Sequence, residues 1–141
     1  MTTTSIKMML ATGLACAAAT VLSAQTYDMS AKVPFGFQVE GRAYEAGKYR
    51  VLQRASDKQT VLENAATRDS VFIAGARQSV ERPAKPTLVF HCYEGNSCFL
   101  SEIWSGKGTG AALRMSQAEK EIVNNKHAQV ATLFIEMQRA D

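Results

Sequence analysis

From Val33 to Glu40 the chain alternates without a break. Val33, Phe35, Phe37 and Val39 fall on one side, and Pro34, Gly36, Gln38 and Glu40 on the other. A period of two held this long predicts a half-buried strand. Pro34 has no amide to give to a ladder, so it belongs near a strand start or on an edge. The stretch from Glu40 to Gly47 is turn-rich, and residues 48–54 (KYRVLQR) form the return strand. Residues 55–58 (ASDK) give a hairpin turn, 59–63 a weaker strand, and 70–75 (SVFIAG) a stronger one, apolar on both faces. Two prolines with charges around them make 81–86 a loop.

Residues 87–93 and 98–104 form a central hairpin, followed by a glycine-rich loop at 105–110. Ser116 and Glu119 have the spacing of a capping box, in which the Ser oxygen takes the third helical amide and the Glu reaches back to the cap. A short helix should follow and stop near Asn124 and Asn125. Val130, Thr132 and Ile135 favour a closing strand over 128–137. The prediction is a mainly β chain of about seven strands, a small antiparallel barrel or sandwich, with one short helix before the last strand.

The first 24 residues are different in kind. Lys7 is their only charge, and a run of small apolar residues leads to Ala24. A basic start, an apolar centre and a small residue at the cut describe a secretory signal peptide, with 25–141 as a single β-rich domain. The apolar run is short and diluted for a spanning helix, which needs roughly 20 residues. Cys16 lacks the Leu three positions earlier that a lipoprotein cleavage box carries; Gly13 stands there. Removal of the leader leaves 117 of the 141 residues, with 15 basic against 13 acidic side chains, since only Lys7 is lost from the 16. This near balance gives no electrostatic footprint for nucleic acid. No second long apolar run follows, so the domain is not expected to be a helical membrane protein.

Candidate chemistry centres on the hairpin VFHCYEGNSCFL, residues 89–100. If Cys92 faces Cys98, then Phe90 faces Leu100 and Leu88 faces Glu102. Facing residues in an antiparallel pair lie about 4.5–5.5 Å apart at Cα, inside the range a disulfide accepts. Export would deliver the pair to an oxidising compartment. Free thiols are the alternative. A zinc site would want more ligands than one cysteine pair, and a redox pair wants a two-residue spacing at a helix start. Neither metal nor cofactor is expected: the Gly106–Gly110 loop fails the phosphate-loop spacing. His91 should lie opposite Phe99, on the face away from Cys92 and Glu102, with no acid to orient it. Glu119 and Glu121 look solvated or capping. Trp104 shares a strand face with Glu102 and is expected to pack on the helix.

Residues 33–42 (VPFGFQVEGR) followed by 46–51 (AGKYRV), the block 88–93 with 99–104, and the helix start at 116–121 (SQAEKE) resemble a family of small exported proteins abundant in acidobacteria-type bacteria. The resemblance spans most of the mature chain. The chain departs from that pattern at Cys92 and Cys98, and at Tyr44-Glu45, where Leu-Pro is usual. The resemblance implies an exported domain and supplies no catalytic residue. The expectation is therefore a non-enzymatic binding or envelope-associated protein, periplasmic or extracellular. Tyr44, Tyr93, Lys107 and Trp104 are its candidate binding surface, and its partner is an unidentified ligand or envelope component. The alternatives are a small hydrolase or isomerase in a barrel mouth, using His91 and Glu102, and a structural component that self-associates through an edge strand.

Overall fold

A computed structural model describes residues 26–54, 59–74, 76–79, 85–106, 109–126 and 129–139. The leader with Cys16, the 55–58 turn, residues 80–84, Lys107 and His127 lie outside the described residues. The described chain forms β1 (Thr26–Val33), β2 (Phe37–Val39), β3 (Arg42–Tyr44), β4 (Gly47–Arg54), β5 (Thr60–Asn64), β6 (Ser70–Ile73) and β7 (Ala76–Ser79). These are followed by β8 (Thr87–Tyr93), β9 (Ser97–Trp104), β10 (Thr109–Ala112), α1 (Gln117–Lys126), β11 (Ala131–Glu136) and β12 (Gln138–Arg139).

The architecture is a mainly antiparallel sandwich. One sheet runs β12-β1-β4-β5-β6. The other runs β11-β8-β9-β10-β7 and carries the β2–β3 hairpin on β9. The outer strands of the two sheets are joined by the chain itself: β6 leads into β7 on one side, and β11 into β12 on the other. Among the described residues no ladder closes these seams, so the body is a sandwich and not a barrel.

The alternating stretch at 33–40 has the predicted burial but crosses between sheets. Val33 ends β1, Phe37 begins β2, and residues 34–36 form the corner. Val33, Phe37 and Val39 are buried while Pro34 and Gly36 are exposed. Inward-pointing residues stay inward around the bend, so the period survives the change of partner strands. Pro34 sits where no ladder needs its missing amide.

Phe37 joins the two layers. Its ring meets Tyr49 of β4 at 4.9 Å and Phe90 of β8 at 5.2 Å, both edge to face. Tyr49 and Phe90 are wholly buried. Each such side chain contributes on the order of 1.5–3 kcal/mol through burial alone. Val33, Leu62, Leu88 and Ile103 complete the centre of this core.

The β2–β3 turn has two residues, Glu40 at φ 51° and Gly41 at φ 77°. Two consecutive positive φ values make the mirror-image turn whose twist matches the strands it joins. One edge of β9 is divided: Gln38 of β2 pairs beside Phe99, while β10 pairs with Glu102, Ile103 and Trp104.

The central hairpin forms with Cys92 opposite Cys98 and Phe90 opposite Leu100. Beyond that point the pairing shifts. Leu88 faces Ile103, and Val89 faces Glu102, because Ser101 is an extra residue on β9. This bulge corrects the predicted register. It brings Phe99, Glu102 and Trp104 onto one face, the outer face that His91 shares, so His91 and Glu102 are not on opposite faces.

Candidate functional site

Cys92 and Cys98 are joined as a disulfide, with Cα atoms 4.0 Å apart. The bond lies in the wall of an open cleft of about 470 Å³ at one end of the sandwich. Four pieces of chain meet there. The 34–36 corner brings Phe35, and the β2–β3 hairpin brings Phe37, Gln38, Ala43 and Tyr44. The β8–β9 tip brings Tyr93, Asn96, Ser97 and the disulfide, and β11 brings Leu133. Phe35 is half-buried and stands edge-on to Phe90 at 5.0 Å. Asn96 holds φ at 61° in the three-residue turn between Tyr93 and Ser97, a backbone that Asn tolerates better than most residues.

Two of the predicted contact residues thus come together in one wall. Tyr44 stacks on Phe37 at 5.8 Å and lies under the Arg42 guanidinium. Its hydroxyl is sealed from solvent and has no partner among the described residues. Trp104 lies elsewhere. It is buried on the outer face, its Nε1 donates to the Glu102 carboxylate at 2.6 Å, and its ring rests against Gly110. A Cβ at Gly110 would come within 2.4 Å of that ring.

A second polar cluster sits under α1. Ser116 Oγ accepts the Glu119 amide at 3.2 Å, as half of the predicted cap. The other half does not form. The Glu119 carboxylate turns to the sheet, where it accepts the Tyr93 hydroxyl at 2.9 Å and faces His91 Nδ1 at 3.5 Å. At 5% exposure Glu119 is the most buried residue described on the helix, not a solvated one, and it supplies the acid beside His91 that the sequence reading lacked. Burial first, and the Glu119 carboxylate second, push the Tyr93 phenol up to about 12. Burial likewise raises Tyr49, while its hydrogen bond from Asn64 acts in the opposite direction.

Sequence alone does not mark Phe35, Leu133 or Glu119 as contact residues. Alternation flags Phe35 only as an inward residue, and nothing local places Leu133 near the hairpin tip. No group of three or more potential metal ligands gathers among the described residues. None of their helices is long and apolar enough to cross a membrane. Compared with models of protein families, with curated proteins and with solved structures, the chain matches none.

Proposed function

We propose that this chain is an exported, non-enzymatic β-sandwich that binds a ligand in the cleft at its open end. The observation that carries the reading is the convergence of Phe35, Tyr44, Tyr93, Leu133 and the disulfide on one concavity of about 470 Å³. That size falls within the roughly 300–1,000 Å³ of small-ligand pockets, and a largely apolar lining with a few polar groups is their usual make-up. The leader-like residues 1–24 and a disulfide that would persist only under oxidising conditions support export to the periplasm or beyond. The resemblance to small exported proteins agrees with that address.

The hydrolase or isomerase reading has less support. Glu102, its proposed acid, is engaged by Trp104, and His91 faces Glu119 outside the cleft. Self-association draws support from Phe72 on the outer strand β6 and Phe134 on the outer strand β11, which are 65% and 60% exposed.

Native mass spectrometry of the protein from the host's envelope fraction tests these readings together. The expected species lacks the leader, is lighter by the two hydrogens of one disulfide, and carries a non-covalent ligand mass. A ligand-free dimer would favour self-association. Full-length cytosolic protein with free thiols would overturn the export reading.

A further inference from the structure

We propose that the cleft takes an uncharged amphiphile, an apolar acyl or aryl body ending in a neutral hydroxyl or amide head. This rests on reading the cleft as the binding site. The chain carries 16 basic and 13 acidic residues, yet none of the twelve residues lining the cleft is charged. Its apolar lining includes Phe35, Ala43, Leu133 and the disulfide. Its polar lining includes the neutral side chains of Gln38, Asn96 and Ser97. Amide and hydroxyl groups both donate and accept, so they can serve a hydroxyl or amide head. A carboxylate or ammonium drawn into this wall would lose water and meet no charged side chain among the lining residues, since Arg42 lies over the Tyr44 ring and is not part of the lining, and this is strongly unfavourable. The cleft is therefore selective by what it omits. A cleft of about 470 Å³ accommodates a single chain or ring system with its head set against Gln38, Asn96 and Ser97.

The test uses the mature, disulfide-bonded protein and isothermal titration, with four probes kept below their micelle concentrations: monolaurin, laurate, dodecylamine and maltose. Monolaurin should bind at least ten-fold more tightly than laurate or dodecylamine, and maltose should not bind. Leu133→Lys places a cation in the wall. Leu133 is 38% exposed on an outer strand, so the fold should tolerate the change, and circular dichroism checks this. The variant should lose monolaurin affinity at least ten-fold and gain affinity for laurate, an inversion that misfolding would not produce. Equal binding of neutral and charged chains, maltose binding alone, or indifference to Leu133→Lys would each overturn the proposal. Suppose no probe binds, yet envelope-derived wild type retains a mass that Leu133→Lys loses. The cleft would then stand as the site, and only the ligand class would fall. If no such mass is retained either, both fall.

Discussion

The Tyr93 hydroxyl donates to the Glu119 carboxylate at 2.9 Å across 26 residues of chain. One end of this contact is in the cleft wall, and the other is the most buried residue described on α1. Hydrogen bonds to charged groups contribute about 1.5–3 kcal/mol, and a buried partner left unpaired costs a similar amount. Glu119→Ala should therefore destabilise by about 2–3 kcal/mol and Tyr93→Phe by about 1–3 kcal/mol. In urea denaturation the double variant should fall short of the sum by at least about 1 kcal/mol, since the two side chains share one interaction. Strict additivity would show that the helix is held by something else.

The same contact sets an alkaline limit. The Tyr93 phenol is raised from 10.0 to about 12 in the folded chain, by burial first and by Glu119 second. Between those values the unfolded chain sheds this proton and the folded chain keeps it, so stability falls as pH rises. The contribution is complete below pH 10 and gone above about 12. Tyr93→Phe should flatten this part of the stability curve. It should also remove one of the late-titrating phenols from the tyrosinate absorbance, leaving Tyr49, which burial also raises. An unchanged alkaline profile would contradict the assignment.

The disulfide spans a separation of only six residues. Closing so short a loop removes little freedom from the unfolded chain, about 2 kcal/mol in the chain-entropy account. Ladder pairs beyond it, from Phe90 with Leu100 to Thr87 with Trp104, do not depend on sulfur. Replacing both cysteines by serine should lower the denaturation midpoint accordingly and leave the far-ultraviolet spectrum of the sheets intact. Loss of the β spectrum would mean that the bond helps create the fold rather than fixing one hairpin.

These contacts show where sequence reasoning reached and where it stopped. Alternation over 33–40 gave the inward side chains correctly, because burial follows the pleat. It could not show the corner at 34–36, because turning from one sheet to the other leaves the inward set unchanged. β1 escaped notice: its inward residues Met29 and Ala31 are weakly apolar strand formers set among Ser30, Asp28 and Lys32. β10 hid in a glycine-rich loop because Gly110 serves a ring six residues away, a requirement invisible in local composition. Glu119 carries a cap pattern that is usually solvated, and only the sheet beneath it reveals the other use. In the candidate site, Tyr44 and Tyr93 were recognisable as aromatic residues near turns. That they share a wall with Leu133 depends on β11 pairing with β8, a long-range fact.

Two neighbouring tyrosines make an internal control. Tyr49 donates to the Glu45 carbonyl and accepts Asn64 Nδ2 at 3.2 Å. Asn64 in turn accepts the amides of Ala66 and Thr67, so this phenol supports the β5–β6 turn. The Tyr44 hydroxyl is equally buried and unpartnered among the described residues. Tyr49→Phe should cost about 1–2 kcal/mol, whereas Tyr44→Phe should be neutral or stabilising by up to about 1 kcal/mol, because it removes a desolvated hydroxyl and no bond. Equal losses in thermal denaturation would indicate a hidden partner for Tyr44.

Gly110 and Trp104 form a facing pair between β10 and β9. Glycine here is not needed for a left-handed backbone; it is needed for space. A methyl group at 110 would sit 2.4 Å from Cε3 and 2.7 Å from Cδ2 of the indole. Those are ring atoms of a side chain already held by its Nε1 bond to Glu102, so the ring cannot swing aside without breaking that bond. In an open strand, Gly→Ala normally gains about 0.5–1 kcal/mol from the reduced freedom of the unfolded chain. Overpacking of about 1–3 kcal/mol opposes it here and should win. Gly110→Ala is therefore expected to destabilise. Because Trp104 is the only tryptophan in the chain, its emission should shift to longer wavelength as the ring is pushed toward solvent. Glu102→Gln keeps an acceptor for the indole and should leave the emission almost unchanged, whereas Glu102→Ala should red-shift it. A stabilised Gly110→Ala variant with unaltered emission would show that β10 does not pack against the indole as described.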